Sequence, residues 1–547
     1  MGYKELADLI FPDVKEVSYY EEKYPERDLK DGAIVTRFAP SPTGFTHVGG
    51  LYQSLVAKKM ANQTDGVFFV RIEDTDQKRE LENAVADILN SLEEYDLAPN
   101  ETVGLDGIDI GNYGPYVQSK RKEIYQAYAK YLVAKGLAYP CFCSAEDLNE
   151  IRENQGKAKQ RTGYYGSWTR CRNMPVDMAM EKIKNGDSYI VRFKSPGNPD
   201  KKIKHKDLIK GNIEFPENDQ DIVIIKSDGL PTYHFAHAID DHLMRTNTVI
   251  RADEWVASVP LHLQLFAVLG FKAPRYAHIA PIMKEEDGNK RKLSKRKDPE
   301  AAVSYYREEG IPKEAVIEYL MNIANSNFEA WKKGNKDKTV DDFKFELNKM
   351  GVSGALFDMV KLLDISKTVI STYTAEQVLD YVLTWSKAYD EDLYNLLDAD
   401  REYALKVLGI ERGNVKPRKD ISKWADTKNS IIYMFDDRFL NSEVEYEYQK
   451  ITDKEEIEKI VNTYFEKYYD INDDKQTCFD KMKDLAEEYG YAREVKEYKA
   501  NPDAYKGHVG DVSTVIRVKL TGRSNTPDLY EIMQVLGMES IEKRIRM

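Results

Sequence analysis

The chain is poor in cysteine: among 547 residues there are only Cys141, Cys143, Cys171 and Cys478. Four are too few to staple a chain of this length with disulfides. It has no run of about 20 apolar residues such as a membrane helix requires. Residues 1–30 are charged and have no apolar centre of signal-peptide length. Nor is there an overall basic charge; the formal net charge is −13. These absences exclude a disulfide-rich secreted module and a helical membrane protein, and they point to a reducing, cytoplasmic setting. The negative total does not exclude a nucleic-acid partner, because local patches meet phosphates, not the sum. Internal repeats and low-complexity runs are absent as well.

What is present suits a large globular protein. Apolar residues make up 42% and charged residues 32%, enough for real cores under a well-solvated surface. At roughly 150 residues per domain, three or four domains are expected. Residues 1–30 read as a polar N-terminal extension. Residues 33–39 read as a short buried strand, broken by Pro40-Ser41-Pro42-Thr43-Gly44. A helical pattern with Leu51, Leu55 and Met60 near one face runs over 48–62, and Gly66 closes that unit. Residues 67–72 are a second strand and 76–95 a second helix. This alternation predicts an α/β fold with a doubly wound, Rossmann-like parallel sheet.

Residues 138–215 change character, with a cysteine pair, a Gly/Tyr/Trp-rich turn over 163–168 and a strand near 189–193. They read as an insertion that splits the sheet. Strands at 221–225 and 249–251 and a helix over 260–270 follow, and after Asp298 helical patterns dominate. The expected division is an extension (1–30), a first catalytic half (31–137), the insertion (138–215), a second catalytic half (216–300) and two helical regions (301–375 and 376–547).

Two segments carry phosphate chemistry. Residues 37–50 read RFAPSPTGFTHVGG. A helix beginning after His47 presents unpaired N–H groups and a positive dipole end to an anion. Gly49 and Gly50 allow a large ligand close to the backbone. His47 either donates to a phosphate oxygen or simply caps the helix. The second segment, residues 290–297, is cationic at every position except Leu293 and Ser294. Lysines on a mobile loop are movable point charges that can follow charge as it develops on a phosphate.

Taken together, the phosphate loop with HVGG, the following Arg71-Ile72-Glu73-Asp74-Thr75-Asp76, and Lys292-Leu293-Ser294-Lys295-Arg296 resemble the HIGH-type and KMSKS-type signatures of class I aminoacyl-tRNA synthetases. Within that class they resemble the glutamyl-tRNA synthetase family. The resemblance implies ATP with Mg²⁺, L-glutamate and tRNA-Glu as partners, with tRNA-Gln left open, and a monomer that forms glutamyl-adenylate. It assigns His47, Lys292 and Lys295 to the reacting phosphates, and His47, Gly49, Gly50, Glu254, Lys292, Ser294 and Lys295 to ATP. It assigns Arg37, Ala39, Ser41, Glu73, Tyr233, His237, Arg251 and Trp255 to glutamate, with Arg37 reading the side-chain carboxylate and Glu73 the α-ammonium. His237 departs from the pattern, since the family commonly has an amide there. No side-chain nucleophile is implied.

Cys141, Cys143 and Cys171 fall in the insertion, where some family members hold zinc through Cys-x-Cys and a later Cys-x-His. Asn173 replaces that His and is a poor zinc ligand. Tyr164 or Tyr165 is the alternative fourth ligand, by analogy with related proteins, so zinc and free thiols both stay open. Residues 301–375 resemble the family's stem-contact region, and 376–547 its bacterial α-helical anticodon-binding region. The best local match is 518–529, although 521–528 also reads as a plain loop with Pro527 at a helix start. Glutaminyl relatives differ in the phosphate loop and carry β-barrels after the catalytic half. Glutamyl-queuosine relatives lack an anticodon region. A non-catalytic tRNA-binding paralogue would not need His47, Lys292 and Lys295.

Overall fold

The computed structural model of the protein describes residues 2–76 and 83–547. It divides into two compact units, residues 1–305 with 317–358 and residues 306–316 with 359–547.

In the first unit the N-terminal extension is folded. Helix α1 (Tyr3–Ile10) buries Leu6, Ala7 and Ile10, and α2 (Val17–Lys23) buries Tyr20. Then come β1 (Val35–Phe38), α3 (Val48–Asn62), β2 (Val67–Val70) and α4 (Ala84–Glu94), the alternation expected from the sequence. Residues 77–82 of the helix expected over 76–95 lie outside the described residues. Strands β1 and β2 pair in parallel, Val35 opposite Val67 and Phe38 opposite Val70. Apart from half-buried Val67, their apolar side chains are buried, as in a sheet covered on both faces. Leu51, Leu55 and Met60 of α3 are buried as anticipated, and a fully buried leucine contributes about 1.5–3 kcal/mol. Gly66 is required where β2 begins, because a Cβ there would lie 2.0 Å from the Ile34 carbonyl oxygen.

A short hairpin, β3 (Thr102–Val103) and β4 (Asp109–Ile110), leads to α5 (Lys122–Ala134), on which α1 and α2 pack. The insertion contributes β5 (Ala138–Cys141), α6 (Ala145–Lys157), α7 (Val176–Lys184), β6 (Ile190–Phe193) and the hairpin of β7 (Lys202–Asp207) with β8 (Gly211–Pro216). Strand β9 (Val223–Ile225) pairs antiparallel with β6, so the strand expected near 221–225 joins the sheet of β5 and β6.

Helix α8 (Tyr233–Leu243) returns the chain to the parallel sheet. There β10 (Thr248–Ala252) and β11 (Arg275–Ile279) pair in parallel, connected by α9 (Val259–Leu269). Asn247 joins the two parallel pairs. Its N–H donates to the Val35 carbonyl at 3.1 Å, and its Oδ1 accepts from the Val35 N–H at 3.1 Å. The hairpin of β12 (Met283–Glu286) and β13 (Asn289–Lys292) carries the basic run, and no strand follows it among the described residues. No helix among the described residues is long and apolar enough to cross a membrane.

The second unit is helical. Asp390, Asp400, Asp453, Asp474 and Asp528 each cap a helix by accepting a backbone N–H three residues on. Such a cap is worth about 1 kcal/mol. Its apolar core includes Val382, Leu393, Leu408, Ile460, Leu485, Ile516 and Ile532. The stretch 518–529 forms the end of helix Val509–Thr521, a left-handed Gly522, a loop, and the start of helix Leu529–Ile545. Arg517 holds that loop through the Thr526 and Pro527 carbonyls, at 3.2 and 2.7 Å.

Candidate active site

The phosphate loop follows the carboxyl end of β1. His47 caps α3, its Nδ1 accepting the Gly49 N–H at 2.8 Å. An Nδ1 that accepts leaves the proton of the neutral ring on Nε2. Burial, then Lys295 and Lys292, lower the pKa of His47, opposed by a hydrogen bond to the Leu293 backbone. His47 is therefore a cap whose Nε2–H lies beside the basic loop. Gly49 has no room to spare, since a Cβ would stand 3.0 Å from the His47 Nδ1, and one at Gly50 would stand 3.1 Å from the Phe38 ring.

The basic loop is braced by Asp298. Arg291 grips it with two bonds of 2.6 and 2.8 Å, and the Ser294 N–H donates to it at 2.9 Å. These partners, Arg291 foremost, hold the Asp298 carboxyl below the usual range. Lys292 pairs with Glu254 at 2.9 Å, both more than half exposed. Lys295 faces the phosphate loop, 3.6 Å from where a Cβ on Gly44 would stand. Thus His47, Gly49, Gly50, Ser294, Lys292, Lys295 and Glu254 converge from three segments.

The residues assigned to glutamate form a second, buried cluster. Arg37, on β1, is 2% exposed and gives its Nε to Asp241 at 3.1 and 3.2 Å. Among the described residues its bonds run through Nε alone, so both terminal nitrogens are left for a ligand. Arg71 bonds Asp241 at 2.8 Å and Glu73 at 2.9 Å, with its Nε 3.6 Å from Asp240. Arg121 bonds Asp240 at 2.6 Å, joined there by Gln118 and Tyr125 at 2.9 and 2.8 Å. Burial raises the Glu73 pKa against the pull of Arg71 and Arg37. Asp241 stays well below its ordinary value because Arg37, Arg71 and His237 outweigh its burial.

Helix α8 supplies Tyr233, His237 and Asp241 from one face, four residues apart. The ring of Tyr233 lies 4.1 Å from Trp255 and 6.0 Å from His237. His237 is fully buried, with Nε2 2.9 Å from the Tyr276 hydroxyl and Nδ1 2.7 Å from Asp241 Oδ2. Burial pushes its pKa down to about 3, so it is neutral at pH 7. Ala39 and Ser41 lie on the loop aligned with residues 71–73, where the Arg71 N–H donates to the Phe38 carbonyl at 3.0 Å and the Glu73 N–H to Pro40 at 2.9 Å. Arg251 is buried and bonds the Trp255 carbonyl at 3.2 Å. Glu254 and Trp255 are consecutive in one 3₁₀ turn, so that turn touches the basic loop with one residue and the buried cluster with the next.

The bracing residues Asp240, Asp241, Arg121, Gln118 and Asp298 were not picked out from the sequence. Only Asp241 carried a signal, its helical spacing from Tyr233 and His237.

In the insertion, the thiols of Cys141, Cys143 and Cys171 lie within 4.8 Å of one another. The Tyr164 hydroxyl is 3.6 Å from Cys141 Sγ and 3.4 Å from Cys143 Sγ, and it accepts the Cys171 N–H at 3.1 Å. Tyr165 turns away to the Arg161 carbonyl. Zinc–sulfur bonds of about 2.3 Å in a tetrahedron set sulfurs about 3.8 Å apart, and Cys143 and Cys171 are 3.7 Å apart. The donor set fits zinc.

Parallel strands with a helix start and a lysine loop at their carboxyl ends are the arrangement in which open α/β sheets bind nucleotides. Residues 33–379 match the family "tRNA synthetases class I (E and Q), catalytic domain", and residues 375–547 match "Anticodon binding domain". The chain belongs to this class I tRNA synthetase (E and Q) family. It is 50% identical over 547 residues to "Glutamate--tRNA ligase" of Clostridium perfringens, covering 100% of both chains. It is 49% identical over 546 residues to the protein of that name in Clostridium beijerinckii, covering 100% of this chain and 99% of the other. A glutamate tRNA ligase from Elizabethkingia meningosepticum, solved in complex with its amino acid, superposes with a TM-score of 0.72 at 26% identity, over 94% of this chain and 98% of its own.

Proposed function

We propose that this chain is an ATP-dependent ligase that joins L-glutamate to the 3′ end of tRNA-Glu through glutamyl-adenylate. The observation that carries the proposal is the convergence of two clusters at one sheet edge, a loop of phosphate-facing cations and a buried pocket of arginines with the carboxylates of Glu73, Asp240 and Asp241. In the pocket, the terminal nitrogens of Arg37 take the side-chain carboxylate by parallel bonds, Glu73 takes the α-ammonium, and Tyr233 and Trp255 form an aromatic wall. An α-carboxylate oxygen then attacks the α-phosphorus in line and pyrophosphate leaves. The His47 N–H donates to a phosphate oxygen, and Lys292 and Lys295 meet the charge as it develops. Mg²⁺ rides on the ATP phosphates. A ribose hydroxyl of the terminal adenosine attacks the acyl carbonyl and AMP leaves. Positioning and charge stabilisation are sufficient. Transfer to tRNA-Gln, open from sequence alone, finds no support among the relatives.

Residues 376–547 serve as the anticodon-reading part and 301–375 as the stem contact. The protein works as a monomer in the cytoplasm, in keeping with four cysteines that form no disulfide. We assign Cys141, Cys143, Tyr164 and Cys171 to a zinc that organises the insertion and takes no part in the chemistry.

The deciding experiment is charging of purified tRNA-Glu with tritiated glutamate and ATP–Mg²⁺. Acid-precipitable counts are expected, and their absence with active tRNA would refute the assignment. For zinc, metal analysis of protein purified without chelator should find about one equivalent, lost in Cys143→Ser. A metal-free wild-type protein would remove that part.

A further inference from the structure

Arg251 is set apart from the other buried arginines of the pocket. Arg37, Arg71 and Arg121 face the carboxylates of Glu73, Asp240 and Asp241, charge against charge. Among the described residues Arg251 has no carboxylate partner. Its Nε donates to His278 Nε2 at 3.0 Å, its Nη1 reaches His262 Nδ1 at 3.1 Å, and its Nη2 donates to the Trp255 carbonyl at 3.2 Å. Burial keeps both imidazoles neutral by lowering their pKa values. All the acceptors are neutral, so the guanidinium keeps its full charge, with one N–H left on each terminal nitrogen for a ligand.

Arginine only donates, so each imidazole is forced into one tautomer. The proton of His278 must sit on Nδ1, where it meets Asp207 Oδ2 at 2.6 Å. Asp207 is the last residue of β7, in the insertion, and its other oxygen accepts the Ile209 and Lys210 N–H groups, both at 2.9 Å. The Leu208 N–H donates to the Tyr276 carbonyl at 2.8 Å, docking this hairpin on β11. An acid orienting an imidazole that orients a functional group is how ligand histidines are held at metal sites.

We propose that Asp207 and His278 are positioning residues for glutamate binding, holding Arg251 as the uncompensated buried cation that takes a substrate carboxylate. The inference rests on the pocket reading above and adds a pair contributed partly by the insertion.

Asp207→Asn tests it at constant volume. The amide oxygen must stay on the two backbone N–H groups, so the amide nitrogen faces His278 Nδ1. The ring then carries its proton on Nε2, against the Arg251 Nε–H. In steady-state charging by the full-length chain, the KM for glutamate should rise about tenfold or more, the worth of a lost hydrogen bond to a charged group, while the KM for ATP and for tRNA stays within about threefold. His278→Gln, which restores an acceptor, should lie closer to wild type than His278→Leu, and this pair decides the matter if Asp207→Asn does not fold. The proposal is overturned by an unchanged glutamate KM in Asp207→Asn, by an equal rise for all three substrates, or by equal behaviour of the two His278 variants. Arg251→Ala separates the levels: an unchanged glutamate KM there refutes the pocket reading itself, whereas a large rise beside an inert Asp207→Asn refutes only the positioning pair.

Discussion

The two ends of the proposed active site solve opposite problems with the same sign of charge. The glutamate end uses arginines that are 2% exposed or nearly so, each held by buried partners. The phosphate end uses lysines, Lys292 and Lys295, both exposed, on a loop braced from behind by Asp298. A carboxylate that must be told from an amide calls for a fixed, planar fork in a dry site. A phosphate whose charge moves during reaction calls for a point charge that can follow it. Rigidity at one end and reach at the other are thus written into the choice of cation.

Substitutions can break or sharpen that contrast. The largest effect is expected at the mobile end, where Lys295→Ala should lower kcat for charging by about 10²–10³ and leave the KM for glutamate nearly unchanged. A change confined to KM would mean that Lys295 binds substrate without aiding the chemistry.

At the rigid end Arg37→Ala should reduce kcat/KM for glutamate roughly a hundredfold, the loss of two charge-assisted bonds. Arg71 remains to neutralise Asp241, so the variant should still fold, as circular dichroism would show. Kinetics like those of wild type would contradict the placement of glutamate.

A smaller and pH-dependent effect comes from the buried histidines. Burial pushes the pKa of His237 to about 3 and that of His234 to about 4, below the value near 6.5 of an unfolded chain. The unfolded chain therefore binds protons first as pH falls. Stability is complete above about pH 6.5 and declines from there towards the folded values, by at most about 1.4 kcal/mol per pH unit for each histidine. Urea midpoints at pH 7.5 and 5.5 should differ accordingly, and His237→Gln should narrow the difference. A pH-independent midpoint would show that these rings do not stay neutral.

The smallest effect belongs to the exposed pair at the junction of the two ends. Glu254→Gln should alter stability by less than about 1 kcal/mol, and any change it makes should appear in the KM for ATP. A clear loss in thermal midpoint would assign Glu254 a structural role that its exposure does not suggest.

Much of this site was legible before any coordinates, because its chemistry is local in sequence. The helix start after His47 needs small residues at 49 and 50, and the lysines of 290–297 act as a contiguous loop. The order of strands and helices through the parallel sheet was equally legible, since apolar periodicity carries it. The partner of β9 was not, because a buried three-residue strand carries no sign of its neighbour. Tyr164 could not be told from Tyr165 as the companion of the three thiols, since the choice depends on which ring turns inward.

Sequence by itself pointed to the family, and it nominated the residues proposed here for phosphate and for glutamate. Tertiary structure alone decided which buried charges compensate one another. Asp241 meets Arg37 across 204 positions, and Asp207 meets His278 across 71. No local pattern records such pairings, because a buried ion's partner is chosen by the packing that excludes water around both. That packing leaves Arg37 a free fork, gives Arg251 only neutral neighbours, and so sets the field in which a substrate carboxylate is held.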